Sequence, residues 1–220
     1  MSKRENRNEF KVPNIILCEG ADATYFMIKY LEYLRKRENG FEPFMAVDFH
    51  GNDNLKNFLA DIKLYTGYEQ VTSMLILRDA ELCFDSAVQA VKSALSNNDY
   101  PVPVSPNDII SNGAISVAFS LFPKLCKEGS SGTLENLIID NLNEADVDKI
   151  LDDVDAFLAS LQAKDRHFTW LHKSKLYTYF SVTDDYVTKK LSEAAEAGAF
   201  NFECEEMNSL KSLLLNIARS

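Results

Sequence analysis

A chain of 220 residues, 46% hydrophobic and 25% charged, is long enough to bury a full core and has the make-up of a globular protein. No apolar run approaches the roughly 18 to 20 residues that span a bilayer, and four scattered cysteines (Cys18, Cys83, Cys126, Cys204) with no Cys-x-x-Cys pair point away from a disulfide framework or a structural zinc site. The formal net charge of −10 excludes the overall basic field of a protein that grips duplex DNA unaided, so nucleic acid would need a local basic patch, bound cations or a partner.

Residues 1–11 are charged and lack the apolar segment of a secretory signal; they read as a short mobile arm, and the cytosol as the address. Ile15-Ile-Leu-Cys18 is a continuous apolar run, the pattern of a strand covered on both faces. Glu19 follows, where the strand ends and a helix begins, a place for an acid at a solvated turn, a helix N-terminus or a metal ion. With Asp22 as the expected N-cap, Phe26, Met27, Tyr30, Leu31 and Leu34 recur at helical spacing, and Asn39-Gly40 is a good stop. Phe44 to His50 reads as a second strand, with His50 a strand-end residue rather than a ligand. Leu55, Phe58, Leu59 and Ile62 mark a second helix. Met74-Leu-Ile-Leu77 is another unbroken apolar run, followed by Asp79 and Glu81. Ala87, Val88, Val91 and Leu95 mark a third helix, with Asp85 its expected cap. Strand and helix thus alternate through the first hundred residues, which predicts βαβ units and an α/β sheet.

Residues 98–112, with three prolines, read as a loop, and Ile115, Val117, Phe119 and Leu121 alternate as a half-buried strand would. Gly129 to Thr133 is a flexible turn into a helix over Leu134 to Asp140. Beyond it, Val147, Ile150, Leu151, Val154, Phe157, Leu158 and Leu161 form one apolar stripe, with Asp146, Asp148, Asp152, Asp153 and Asp155 off it. Thr183 to Asp185 are expected to cap a helix ending near Gly198, and Leu210, Leu213, Leu214 and Ile217 suit a last one. Lys164 to Tyr177 is the one basic stretch interleaved with aromatics. Its rings could stack on bases while its lysines meet phosphates; the favoured reading packs Phe168, Trp170 and Leu171 inward and leaves the cations in water.

Ligands of an open parallel sheet bind at the carboxyl ends of its strands. If the first and third strands are neighbours, Glu19, Asp79 and Glu81 meet at one rim. Crowded anions raise each other's pKa values unless a cation compensates them, and Mg²⁺ takes such oxygen donors.

The motifs resemble those of the topoisomerase–primase (Toprim) domain family, which places a glutamate after its first strand, commonly in Glu-Gly-x-x-Asp, and an Asp-x-Asp after a later one. Glu19-Gly20-Ala21-Asp22 keeps the glutamate and glycine, with the next acid one residue early; Asp79-Ala80-Glu81 has glutamate in place of the last aspartate. The likeness covers roughly Val12 to Asp140 and is greatest to small bacterial Toprim-like proteins related to the overcoming-lysogenization-defect (OLD) nucleases. Those relatives carry a Gly-x-Leu-Glu element, similar to Gly132 to Glu135, a lysine-bearing segment similar to Lys173-Ser-Lys175, and a leucine-rich last helix similar to Leu210 to Leu215.

The resemblance implies a mostly parallel sheet flanked by helices over 12–140, with a helical region over 141–220 packed on it. It implies Mg²⁺ (or Mn²⁺) held by Glu19, Asp79 and Glu81, with Glu135 helping at a second ion. Glu19 would assist proton transfer, and Lys175, or Lys173 in its place, would offset charge on a cleaved phosphate. Gly20, Asp22 and Asp85 would support the site from behind. Topoisomerase and primase action need accessory parts that this chain does not accommodate, which leaves Mg²⁺-dependent hydrolysis of nucleic acid. Two alternatives stay open: a catalytically degraded module that binds a ligand or a partner ATPase, motivated by the extra methylene at Glu81, and a hydrolase of a small phosphorylated molecule, motivated by the acidic balance.

Overall fold

The computed structural model describes residues 9–125, 130–142 and 147–220. Most of the expected N-terminal arm, Cys126, Gly129 and Asp146 lie outside them. Five strands form one sheet in the order β2-β1-β3-β5-β4: β1 (Asn14–Cys18), β2 (Phe44–Asp48), β3 (Ser73–Asp79), β4 (Ile110–Ser111) and β5 (Ser116–Phe122). The first four in that order run parallel, and β4 alone is antiparallel, on the edge.

Both faces of the sheet are covered, which is why its central strands are apolar without alternation. Ile15, Leu17, Met74, Ile76, Val117 and Phe119 face α2 (Leu55–Asp61) and α3 (Phe84–Ser96). Ile16, Cys18, Leu75, Leu77 and Ala118 face the opposite way, into a core shared with α1 (Gly20–Arg37), α4 (Leu134–Asp140), α5 (Val147–Gln162), α6 (Leu171–Val182), α7 (Leu191–Ala194) and α8 (Glu205–Ile217). The fold is thus a mixed α/β sandwich with a helical C-terminal region. No helix among the described residues is long and apolar enough to cross a membrane.

β5 corrects the expectation of a half-buried strand. All seven of its residues are buried, because α8 lies across β3 and β5. Its two buried serines are both satisfied, Ser120 donating to the nearby Leu125 carbonyl and Ser116 to that of the distant Ser220. The loop read over 98–112 contains the short edge strand β4, whose φ-restricting prolines lie outside the ladder.

Three caps also differ from expectation. Glu19, not Asp22, is the N-cap of α1; Cys83, not Asp85, is that of α3; and Thr183 closes α6, while Lys190 starts α7. In the first case the strand ends and the chain turns at once, and in the second a turn over Ala80 to Cys83 intervenes; both helices begin before the polar residue expected to cap them. Gly20 makes the first of these turns possible: its φ of +83° is a left-handed conformation that a side chain would oppose. The stripe of α5 is narrower than predicted, since Val154 and Leu158 are buried but Phe157 is 53% exposed.

Candidate functional site

Parallel pairing of β1 with β3 sets Cys18 opposite Leu77, so the residues that follow each strand leave the sheet side by side. The Glu19 N–H donates to the Leu77 carbonyl at 3.0 Å. In return the Asp79 N–H donates to Glu19 Oε2 at 3.3 Å. Backbone pairing thereby fixes two carboxylates at the carboxyl rim of the sheet.

A third comes from α4. Thr133 caps that helix in a capping box with Asn136, and the Leu134 N–H, one of the unpaired donors of its first turn, donates to Asp79 Oδ1 at 2.9 Å. Glu135 follows in the same turn and is 2% exposed. It accepts from Thr133 Oγ1 at 2.7 Å and pairs with Lys173 Nζ, at the start of α6, at 3.3 Å. The fourth acid, Glu81, sits in a turn with a positive φ of 52°. Its backbone exchanges two hydrogen bonds with Gly132, at 2.8 and 2.7 Å, which lock the loop after β3 to the start of α4.

The electrostatics show that these groups share one environment. Asp79 has its pKa pushed up to about 8, first by burial and then by the charges of Glu19 and Glu135, against the Leu134 N–H and Lys173. Burial also raises Glu19; Arg78 and the Asp79 N–H hold it back, and Glu81 pushes it further up. Burial alone would lower Lys173, but Glu135, Asp22 and Asp79 outweigh it and keep the ammonium charged. Two cations therefore face four acids, and the site carries an excess of negative charge that a proton on Asp79 relieves.

That proton gives a measurable pH dependence. In the folded chain Asp79 keeps it to about pH 8, whereas an ordinary aspartate releases it near 3.8. Folding takes up a proton between these limits. The contribution of Asp79 to stability is therefore fullest below pH 4 and declines toward pH 8, by up to about 1.4 kcal/mol per pH unit. Asp79→Asn retains an acceptor for the Leu134 N–H and has no proton to lose. In chelator, the variant is expected to gain on the wild type by on the order of 2 kcal/mol between pH 5 and pH 7.5 in urea denaturation; parallel curves at both pH values would show that the carboxyl is ionised throughout.

The rim holds Glu19, Asp79, Glu81, Glu135 and Lys173 together. Lys175 is a correction: its Nζ pairs with Asp155 of α5 at 2.7 Å, because two residues along a helix turn the side chain to another face. Of the supporting residues, Gly20 makes the turn after Glu19. Asp22 is exposed and acts on the site through its charge on Lys173 and Tyr177. Asp85 is exposed beyond the Glu81 turn, in the first turn of α3. The inward packing expected of Trp170 and Leu171 is also corrected, since they are 55% and 43% exposed, while Phe168 does pack on the core.

Two residues escaped the sequence reading. Arg78, only 4% exposed, places Nε 3.5 Å from Glu19 Oε2; the signal was a guanidinium at the end of an otherwise apolar strand. His172 lies beside Lys173, and its buried Nε2 has no hydrogen bond and stands 3.9 Å from Glu135 Oε2. Burial lowers its pKa, which favours the neutral imidazole.

Among the described residues, no three His, Cys, Asp or Glu side chains form a group able to enclose a metal ion. The donors do match the hard oxygen chemistry of Mg²⁺, which commonly takes one or two protein carboxylates and completes its shell with water; Glu19 and Asp79 suit that open arrangement, with Glu81 and Glu135 as neighbours. A cavity of about 390 Å³ lies elsewhere, between α1 and residues 195–203. Its charges are largely spent on one another, Lys29 on Glu32 and Glu196, and Arg37 on Glu203.

No curated protein and no solved structure matches the chain. A family model described as a protein of unknown function, DUF3226, matches residues 13–219. The matched span takes in every strand and helix of the sandwich and each residue of the rim cluster, and the chain belongs to the DUF3226 family.

Proposed function

We propose that this chain hydrolyses phosphodiester bonds of nucleic acid in a Mg²⁺- or Mn²⁺-dependent reaction at the rim of β1 and β3. The observation that carries the reading is the crowding at Asp79: its N–H donates to Glu19, its carboxyl accepts from the Leu134 N–H beside Glu135, and burial with these charges pushes its pKa up to about 8. A divalent cation that takes the place of the Asp79 proton would relieve the same crowding of charge. The Toprim-like order of Glu19-Gly20, Asp79-x-Glu81 and Gly132-x-Leu-Glu135 points to the same chemistry.

When bound, the ion would polarise the phosphate and lower the pKa of water. Glu19 and Asp79 would hold it. The raised pKa of Glu19 makes its carboxylate a stronger base than a solvated glutamate, suited to taking a proton from the attacking water. Lys173, kept charged by Glu135, would face the negative charge that grows on the phosphate. Arg78 holds Glu19 in place from beneath.

Supercoiled plasmid and single-stranded oligonucleotides are expected to be cut in Mg²⁺ or Mn²⁺ and left intact in chelator. Lys173→Met is expected to slow cutting by roughly tenfold to a hundredfold, whereas Lys175→Met leaves the rate within about twofold. The reverse order would return the phosphate contact to Lys175.

A second reading is favoured by the open donor set and by glutamate at position 81: a module that binds an ion or nucleotide, together with a partner ATPase, without turnover. It predicts a divalent-dependent rise in melting temperature with no cleavage of DNA, RNA or free nucleotides. Cleavage of any of these ends it.

A further inference from the structure

Aromatic side chains are usually drawn into a core, and tryptophan is highly buried on average. Around the carboxylate rim the opposite holds. Trp170 is 55% exposed, Tyr25 53% and Tyr177 37%. Trp170 stands edge-on to His172 with ring centroids 6.1 Å apart, and His172 in turn approaches Glu135. Tyr177 lies four residues beyond Lys173 on α6, and the charges of Asp22 and Glu135 act on its phenol. Tyr25 lies one turn after Asp22 on α1.

The order along α6 is informative. Lys173 and Tyr177 are four residues apart and share one face of the helix, and Trp170 is the N-cap residue just before its first turn. A cation lies between two rings, along a helix that rises about 1.5 Å per residue. A nucleic-acid strand with unpaired bases has the matching sequence of planar base, phosphate and base. A duplex hides its base faces and presents a dense row of phosphates, which a chain of net charge −10 repels.

We propose that the start of α6, with Trp170 at its N-cap and Lys173 and Tyr177 on one face, is a stacking platform that selects single-stranded nucleic acid and leads it to the carboxylate rim. The inference rests on the hydrolase reading for the site, but it concerns binding and is tested without turnover. Stacking on aromatics tolerates any base sequence, and the few phosphate contacts leave affinity weakly dependent on salt. With one or two phosphates neutralised, log affinity should fall against log salt with a slope of about −0.7 to −1.4.

Trp170 is the chain's single tryptophan, so its fluorescence reports the contact directly. The test titrates the full-length wild-type chain, in chelator, with dT₁₂, U₁₂ and a 12-base-pair duplex. Saturable quenching by either single strand, with at least tenfold weaker binding of the duplex, is the expected result; the ratio of the two single strands tells DNA from RNA. Trp170→Ala and Tyr177→Ala, followed with a fluorophore on the oligonucleotide, should each weaken binding by about tenfold, and Trp170→Phe should retain most of it. Absence of quenching by both single strands, equal affinity for the duplex, or unchanged affinity in both alanine variants overturns the proposal. Binding that persists without cleavage in Mg²⁺ would keep the platform and remove the hydrolase, so the two readings fail separately.

Discussion

Glu19→Gln and Asp79→Asn are each expected to cut divalent-dependent cleavage by at least about a hundredfold while leaving the fold in place. The loss follows from what each substitution keeps. In Glu19→Gln the amide oxygen would still accept from the Asp79 N–H, and in Asp79→Asn it would still accept from the Leu134 N–H. These are the two carboxylate bonds that link the end of β3 to Glu19 and to the start of α4, at 3.3 and 2.9 Å. What disappears is one negative charge from a pair of donors that would hold the ion, and for Glu19 also the basic oxygen. Displacement of a reacting group by about 1 Å can already cost on the order of a hundredfold, and removal of a charged donor costs no less. Initial rates of plasmid nicking, measured beside circular dichroism of each variant, decide the matter. Cleavage that persists in both well-folded variants places the chemistry elsewhere.

The second large effect concerns Arg78. Its side chain is 5% exposed and lies 3.5 Å from Glu19 Oε2, so it neutralises from below the anions that the rim gathers above. Arg78→Met fills a similar volume and removes the charge. Breaking a buried pair by deleting one partner costs about 3–5 kcal/mol, because the other charge is left in a medium that cannot solvate it. Here the orphaned acids have an escape, since Asp79 and Glu19 already have raised pKa values and can take up protons. The cost should thus be near that full range at pH 8 and clearly smaller at pH 5. Urea denaturation at the two pH values measures it, and Arg78→Lys should recover part of the loss. An equal, small effect at both would mean that Arg78 is a packing residue whose charge is solvated.

The parallel core was legible because periodicity reports burial directly. Ile15 to Cys18 and Met74 to Leu77 are unbroken apolar runs since helices cover both of their faces, and Leu55, Phe58 and Leu59, like Val88, Val91 and Leu95, are buried at helical spacing. β5 misled for the converse reason: Ser116 and Ser120 look like a solvent face, yet hydrogen bonds to the Ser220 and Leu125 carbonyls let them lie under α8. No local pattern encodes a covering helix about a hundred residues away.

At the rim, the neighbouring positions of Glu19 and Asp79 were readable from strand ends alone. The choice between Lys173 and Lys175 was not, because it depends on where α6 begins. With the first turn at Leu171, Lys173 points to Glu135 and Lys175 to Asp155. The exposure of Trp170 follows from the same register, since it precedes the helix rather than lying within a longer one. Arg78 was hidden by its own neighbours, as a lone cation in an apolar strand gains meaning only once Glu19 is known to lie across from it.

A crystal of the wild-type chain soaked in Mn²⁺ and measured near the manganese absorption edge puts the shared cation to the test. An anomalous peak within about 2.5 Å of carboxylate oxygens of both Glu19 and Asp79 is expected, and it should vanish in Asp79→Asn. A clean map at that rim under saturating Mn²⁺, or a peak bound only by acids elsewhere, would contradict it.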